Sequence, residues 1–300
     1  MVTHPSISAY FEKIFHGRIQ KIAVNAGLGC PNRDGTLGTG GCIFCNNEAF
    51  VPRYAGHGCK SITQQIEDGI RFFSRKGAAD GYLIYFQSFS NTYGDSGRLI
   101  SMYEEALAFP GVEGLVIATR PDCLADDLLD WFGSRFGNKA PEGHPYLLVE
   151  LGVESTNDRT LERIRRGHDS SCSERAIRAL AERGIPVGAH IILGLPGESR
   201  EDFILHAERL SRLPVTTVKL HHLQIIEGTA LAEEYVSDPG IVHLFTPDEY
   251  IDAVREFLAH LRKDIVVDRI VSESPKALVI APSWGLKPSE LGRKLVIPDR

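Results

Sequence analysis

Cys30-Pro-Asn-Arg-Asp-Gly-Thr-Leu-Gly-Thr-Gly-Gly-Cys42-Ile-Phe-Cys45 sets three cysteines and four glycines within sixteen residues. A glycine-rich loop of this kind can gather three thiolates on one side and leave a further position of a metal centre open. Thiolates suit an iron–sulfur cluster, and three of them leave one iron without a protein ligand. A structural zinc site normally closes with four ligands, so zinc would need Cys59 or His57 as the fourth. Unbound core thiols are the remaining reading. A cluster held by Cys30, Cys42 and Cys45 is the expectation, and the residues alone leave zinc open.

The loop follows an apolar run at 21–25, which reads as a first strand. From there strands and helices alternate. Residues 81–86, 114–119, 146–152, 187–193 and 215–223 read as further strands. Helices are predicted over 61–76, 98–109, 125–135, 173–183, 200–213 and 247–263, the first with Ser61 as N-cap. A helical lead-in occupies 1–20, with Tyr10, Phe11, Ile14 and Phe15 on one face. Two short β-like pieces, at 265–271 and 277–280, precede an irregular tail. The strands are mostly continuous apolar runs, as expected when both faces are covered. Six strands alternating with helices imply parallel βα units with right-handed crossovers. The predicted fold is α/β, a partial (β/α)6 TIM-like barrel with a short C-terminal extension. In such barrels chemistry collects at the carboxyl ends of the strands. The predicted division is a lead-in at 1–20, a barrel core at 21–235, and a C-terminal helix and extension at 236–300.

The chain has 300 residues, enough to bury a sizeable core, and a formal net charge of -6. That balance argues against a dominant phosphate-tracking surface, though a local basic patch is compatible with it. Arg159, Arg163, Arg165 and Arg166 are the candidate patch for guiding phosphates. No amino-terminal apolar run with a basic flank suggests a signal peptide, and no apolar run reaches the roughly 18 residues of a membrane span. The expectation is a cytoplasmic protein with reduced thiols, where clustered cysteines read as metal ligands.

The cysteine pattern, with two residues between the last two and Phe44 before the last, resembles the cluster motif of radical S-adenosylmethionine (SAM) enzymes. The first gap is eleven residues where three are usual. That long gap is similar to the YhcC-like family in particular, and the resemblance spans roughly residues 10–285. Other segments carry it further: Ile117-Ala-Thr-Arg-Pro-Asp122, Val149-Glu-Leu-Gly-Val-Glu-Ser155, Arg166-Gly-His168, His190-Ile-Ile-Leu-Gly-Leu-Pro-Gly197, and Lys219-Leu220 with Gly228-Thr229. They resemble segments of the elongator catalytic subunit and, more loosely, of oxygen-independent coproporphyrinogen oxidase.

The resemblance implies a [4Fe–4S] cluster on Cys30, Cys42 and Cys45, with SAM bound at the open iron. Reductive cleavage of SAM would give a 5′-deoxyadenosyl radical. The resemblance also implies a flavodoxin- or ferredoxin-like electron donor. Phe44 would pack near the adenine, and Gln87 opens the polar loop 87–92 that would meet the SAM amino group. Glu154 and Arg166 match SAM-contact positions, His190 a ribose contact, and Gln224 an adenine contact. Related enzymes often carry a glutamate where this chain has Ala118. Glu150, in period-2 register with Glu154, is the candidate to replace it, and Arg120 the candidate partner for its buried charge. Gly194 and Gly197 would let the backbone approach the adenine or simply turn the chain. Lys219 and His221 should share the substrate-facing side of the sixth strand, with His222 on the other. Cys123 and Cys172 read as relay thiols or as small buried hydrophobes.

The elongator resemblance suggests tRNA wobble-uridine modification. A radical SAM enzyme acting on a small metabolite, a non-catalytic iron–sulfur sensor, and a zinc-stabilised structural protein are the alternatives.

Overall fold

The computed structural model describes residues 4–47, 51–52, 54–55, 60–271, 274–286 and 288–295. Cys59 and His57, the candidate fourth zinc ligands, lie outside the described residues. The chain runs through α1 (Ile7–Phe15), β1 (Ile19–Val24), α2 (Ile62–Phe73), β2 (Gly81–Phe86), α3 (Ser96–Leu107), β3 (Val112–Thr119) and α4 (Asp126–Arg135). It continues through β4 (Tyr146–Glu154), α5 (Asp158–Arg163), α6 (Ser170–Glu182), β5 (Val187–Leu193), α7 (Arg200–Ser211) and β6 (Thr217–His222). The last part holds β7 (Ile225–Ile226), α8 (Ala230–Ser237), α9 (Pro247–His260), β8 (Val266–Arg269), β9 (Val279–Ala281) and α10 (Pro288–Leu295).

Local chemistry starts the helices where the sequence predicts. Ser61 and Gln64 form a reciprocal capping box on α2, satisfying two orphan N–H groups. Thr246 and Glu249 do the same for α9, with Pro247 in its first turn.

Seven parallel strands pair in the order β1-β2-β3-β4-β5-β6-β8. The six expected strands are present, and β8 adds a seventh along β6. β8 (Val266–Arg269) falls within the short β-like piece expected at 265–271, which had not been counted among the six barrel strands. Side chains alternate between two environments because successive Cβ atoms point to opposite faces. Leu115, Ile117, Leu147 and Val149 face the helical layer. Val116, Leu148 and Leu83 face inward and meet Phe11.

The sheet curls into a half-barrel. Lys21 of β1 and Asp268 of β8 belong to its two outermost strands, yet their side chains lie 3.0 Å apart. The amino-terminal end of the barrel is stoppered by α1. Phe11 and Phe15 pack edge-on against Tyr146 at 6.0 and 5.4 Å. Burying an aromatic of this size stabilises the fold by about 2–3 kcal/mol. His4 then ties the lead-in down, bonding the carbonyls of Leu258 and Ile265 at 2.9 and 3.1 Å. The carboxyl end stays open, and the site is built there.

Candidate active site

The cysteine loop leaves the carboxyl end of β1 and is fixed by its own backbone. The N–H of Arg33 donates to the Cys30 carbonyl at 2.9 Å, that of Leu37 to Pro31 at 2.7 Å, and that of Gly41 to Asn32 at 2.7 Å. Ile43 then docks on the far side of the barrel. Its N–H donates to the Ile164 carbonyl at 3.1 Å, and its own carbonyl accepts from Leu231 at 2.8 Å. The loop therefore depends on α5 and α8, two short helices that the hydrophobic pattern does not reveal.

Cys30, Cys42 and Cys45 line one cavity together with Phe44, Gln87, Glu150, Glu154, Arg166, His190 and Gln224. All ten residues singled out from the sequence are thus on its wall. Lys219 and His221 share it, as their register on β6 requires, and Arg33, Tyr85 and Arg269 were not foreseen. His222, expected on the other side, also borders the cavity while its ring stacks on Trp284 with centroids 4.0 Å apart. Among the described residues, neither Cys123 nor Cys172 borders the cavity, and neither does Gly194 or Gly197. A Cβ at Gly194 would sit 2.7 Å from Phe245 (φ +87), so this glycine serves a turn packed on an aromatic ring.

The acidic wall comes from β4. Glu154 adopts φ +64, a conformation that a glutamate takes only under constraint. A buried network supplies the constraint. Ser155 Oγ donates to Glu198 at 2.6 Å, His206 Nε2 lies 3.0 Å from the same carboxylate, and its Nδ1 lies 2.7 Å from Thr156 Oγ1. The result aims Glu154 at His190 Nδ1, 2.8 Å away, and towards Arg166 at 3.8 Å. Burial alone would push the Glu154 carboxyl up, but His190 and Arg166 outweigh it and hold it below the usual carboxylate range.

Arg166 is buried between two elements. One N–H donates to Cys42 Sγ at 3.5 Å and another to the Gly152 carbonyl. Burial disfavours its charge, yet Cys42 and Glu154 raise its affinity for the proton above that of ordinary arginine.

Below this layer, Glu150 Oε2 accepts from Tyr85 at 2.6 Å and from Lys219 at 2.9 Å. Lys21 lies 3.8 Å from the other oxygen. Burial raises the Glu150 carboxyl, but Lys219 and Lys21 dominate and carry it well below its ordinary value. Arg120 is not its partner. It forms a fork to Asp122 at 2.8 and 2.7 Å because the two are neighbours across the turn after β3. Burial, His190 and Arg269 together keep His221 neutral far below the usual histidine range, and Arg269 donates to it at 2.9 Å.

The candidate phosphate patch does not hold together. Arg166 is buried, and of the three exposed arginines, Arg159, Arg163 and Arg165, Arg163 is paired with Glu234.

A parallel half-barrel with three cysteines at the mouth of its first strand defines a class, and the comparisons identify it. The Radical SAM superfamily model matches residues 24–210 and the Radical_SAM C-terminal domain model residues 215–294. The chain belongs to the radical SAM superfamily and is a radical SAM enzyme. Within it, the chain is 33% identical over 267 residues to Protein YhcC of Escherichia coli (strain K12), covering 89% of this chain and 82% of that one. It is 29% identical over 148 residues to the tRNA uridine(34) acetyltransferase of Methanocaldococcus infernus, 48% of this chain but 27% of that protein. The structure of the archaeal Methanocaldococcus infernus Elp3 matches its fold with a TM-score of 0.67 at 18% identity, covering 92% of this chain and 62% of that one.

The family implies an iron–sulfur cluster and SAM, and the cavity wall suits both. Burial and then Cys42 push the Cys45 thiol up to about 12. A sulphur so placed ionises only when a cation such as iron binds it. A single zinc ion would need its sulphurs within about 4 Å of one another, given Zn–S bonds of about 2.3 Å. Among the described residues no group of three or more His, Cys, Asp or Glu is arranged to hold a single metal ion, and Cys59 and His57 lie outside those residues. For SAM, Arg166 Nε and His190 Nε2 are buried without a hydrogen-bond partner, as is Glu150 Oε1. Buried polar atoms left this way await a ligand. Among the described residues no helix is long and apolar enough to cross a membrane.

Proposed function

We propose that the chain holds a [4Fe–4S] cluster on Cys30, Cys42 and Cys45, binds SAM beside it, and acts on the wobble uridine of tRNA. The shared cavity carries this reading: cysteines from one loop and SAM-directed groups from four strands and a helix linker line one wall. Bound together, cluster and SAM supply a one-electron reductive cleavage that yields a 5′-deoxyadenosyl radical, which takes a hydrogen atom from the substrate.

The chain's own residues do the holding. Arg166 Nε offers a charged donor to the SAM carboxylate, while its other nitrogens stay on Cys42 and Gly152. Glu154, kept ionised, accepts from the SAM amino group, with Gln87 also lining the cavity. Glu150 Oε1 is a second acceptor, its partner oxygen being held by Tyr85 and Lys219. His190 Nε2 meets a ribose hydroxyl. Phe44 and Gln224 flank the adenine, one apolar and one polar. Lys219, Tyr85 and His221 form the floor and meet the substrate. The electron comes from a flavodoxin- or ferredoxin-type protein.

The tRNA assignment is supported by the partial likeness to a tRNA uridine(34) acetyltransferase. The net charge of -6 and a basic patch that loses Arg166 to burial and pairs Arg163 with Glu234 favour a second reading, a small-metabolite substrate. Two measurements separate these. Anaerobically reconstituted protein with dithionite should release 5′-deoxyadenosine, and its absence from cluster-loaded, SAM-bound protein would overturn the enzyme mechanism. Nucleoside profiles of tRNA from cells with and without the protein should differ at the wobble position. Identical profiles alongside a changed metabolite pool would establish the second reading.

A further inference from the structure

The eleven residues between Cys30 and Cys42 do more than space two ligands. Asn32 and Arg33 turn back towards the sulphurs. Asn32 Nδ2 donates to the Arg165 carbonyl at 2.6 Å and lies 3.6 Å from Cys42 Sγ. The Arg33 guanidinium donates to the Cys45 carbonyl and lines the cavity. Glycines make the room. A Cβ at Gly41 would fall 2.8 Å from Arg33 Nε, and one at Gly38 would fall 3.1 Å from Asn32 Oδ1. The one acidic residue beside them is turned outward: Asp34 accepts from Tyr93 at 2.8 Å on the exposed side.

We infer that Arg33 and Asn32 set the reduction potential of the iron–sulfur centre, raising it through a positive charge at Cys45 and an N–H donor at Cys42. This rests on the proposed cluster ligation by Cys30, Cys42 and Cys45. Reduction adds one negative charge to the centre. Positive charge and N–H donors near the sulphurs stabilise that form more than the oxidised one, and both are known levers on such potentials. A three-residue gap would have no chain with which to place them. The long gap is therefore an electrostatic device as well as a spacer, and both residues are positioning residues that act through the cluster.

Full-length protein, reconstituted anaerobically and titrated by electron paramagnetic resonance without SAM, tests this. At the wild-type midpoint the reduced-to-oxidised ratio of Arg33→Met should fall about tenfold, a shift of about 59 mV for one electron. Arg33→Lys, which keeps the charge, should restore most of it. Asn32→Asp, which exchanges a donor for a carboxylate at Cys42, should fall at least as far as Arg33→Met. Unchanged midpoints in Arg33→Met and Asn32→Asp, each holding four irons, would overturn the inference. Loss of iron from Arg33→Met but not from Arg33→Lys would support a role for charge at the sulphur; loss from both would make the loop a clamp and overturn it. A wild-type chain that takes up no iron or sulfide would instead sink the cluster reading itself.

Discussion

The two ends of the half-barrel are built from the same strands and solve opposite problems. At the amino-terminal end, α1 closes the opening with Phe11, Phe15 and Tyr146 in edge-on contact, and apolar Leu83, Val116 and Leu148 beneath. At the carboxyl end, Glu154, Arg166, Glu150 and Lys219 are buried with little water, and several of their polar atoms have no hydrogen-bond partner. Burying charge is costly unless it is paired and bonded, so this end is held in place by the rest of the fold. The stopper stabilises; the rim stores unsatisfied chemistry for a ligand.

Substitutions at each end should separate those roles. The largest effect belongs to the rim: Cys42→Ala should reduce bound iron and sulfide to background, because two thiolates cannot hold the cluster. A full four-iron complement would refute the ligand set. At the stopper, Phe11→Ala should cost about 3–4 kcal/mol in denaturant unfolding, while SAM affinity of the folded fraction stays as in wild type. A matching loss of affinity would mean that the ends are not independent. Arg166→Ala should weaken SAM binding by roughly 30-fold, about 2 kcal/mol for a charged hydrogen bond, with iron retained; unchanged affinity would remove Arg166 from the SAM site.

The last effect concerns pH and touches stability alone. Burial holds His222 neutral down to about 4. In the unfolded chain it protonates near its ordinary value of about 6.5. Between those values the unfolded state binds the extra proton, so stability falls as pH drops through this window, by at most roughly 3 kcal/mol. His222→Phe should keep the stack on Trp284 and flatten that part of the stability–pH curve. An unaltered slope would show that another group carries it.

Strand positions were legible because apolar runs bounded by turn residues carry their own signal; 81–86 and 187–193 coincide with β2 and β5. The cavity wall was legible because strand ends in a parallel barrel converge whatever their sequence separation. What local pattern could not reveal was pairing. Arg120 looked available to Glu150 until Asp122, two residues on, proved nearer. Lys21 and Tyr85 lie on strands far from Glu150 in sequence and gave no hint that they would meet it. The network of Ser155, Glu198, Thr156 and His206 behind Glu154 was likewise invisible, since it joins β4 to α7. A glutamate followed by Ser-Thr at a strand end was the only available clue.

Return, finally, to the contacts that join the two tips of the chain. His4 bonds to Leu258 and Ile265, Lys21 pairs with Asp268, and the Val267 N–H donates to the Pro5 carbonyl at 2.9 Å. Each links the opening residues to a segment some 250 positions later. Such contacts must close very long loops, which slows folding even where it adds little to the entropic cost. A chain emerging from the ribosome carries the whole cysteine loop and strands β1 to β7 before the partner of Lys21 exists. Sealing the stopper end is therefore the late act of folding, and the metal-binding loop is complete in sequence long before the barrel beneath it is.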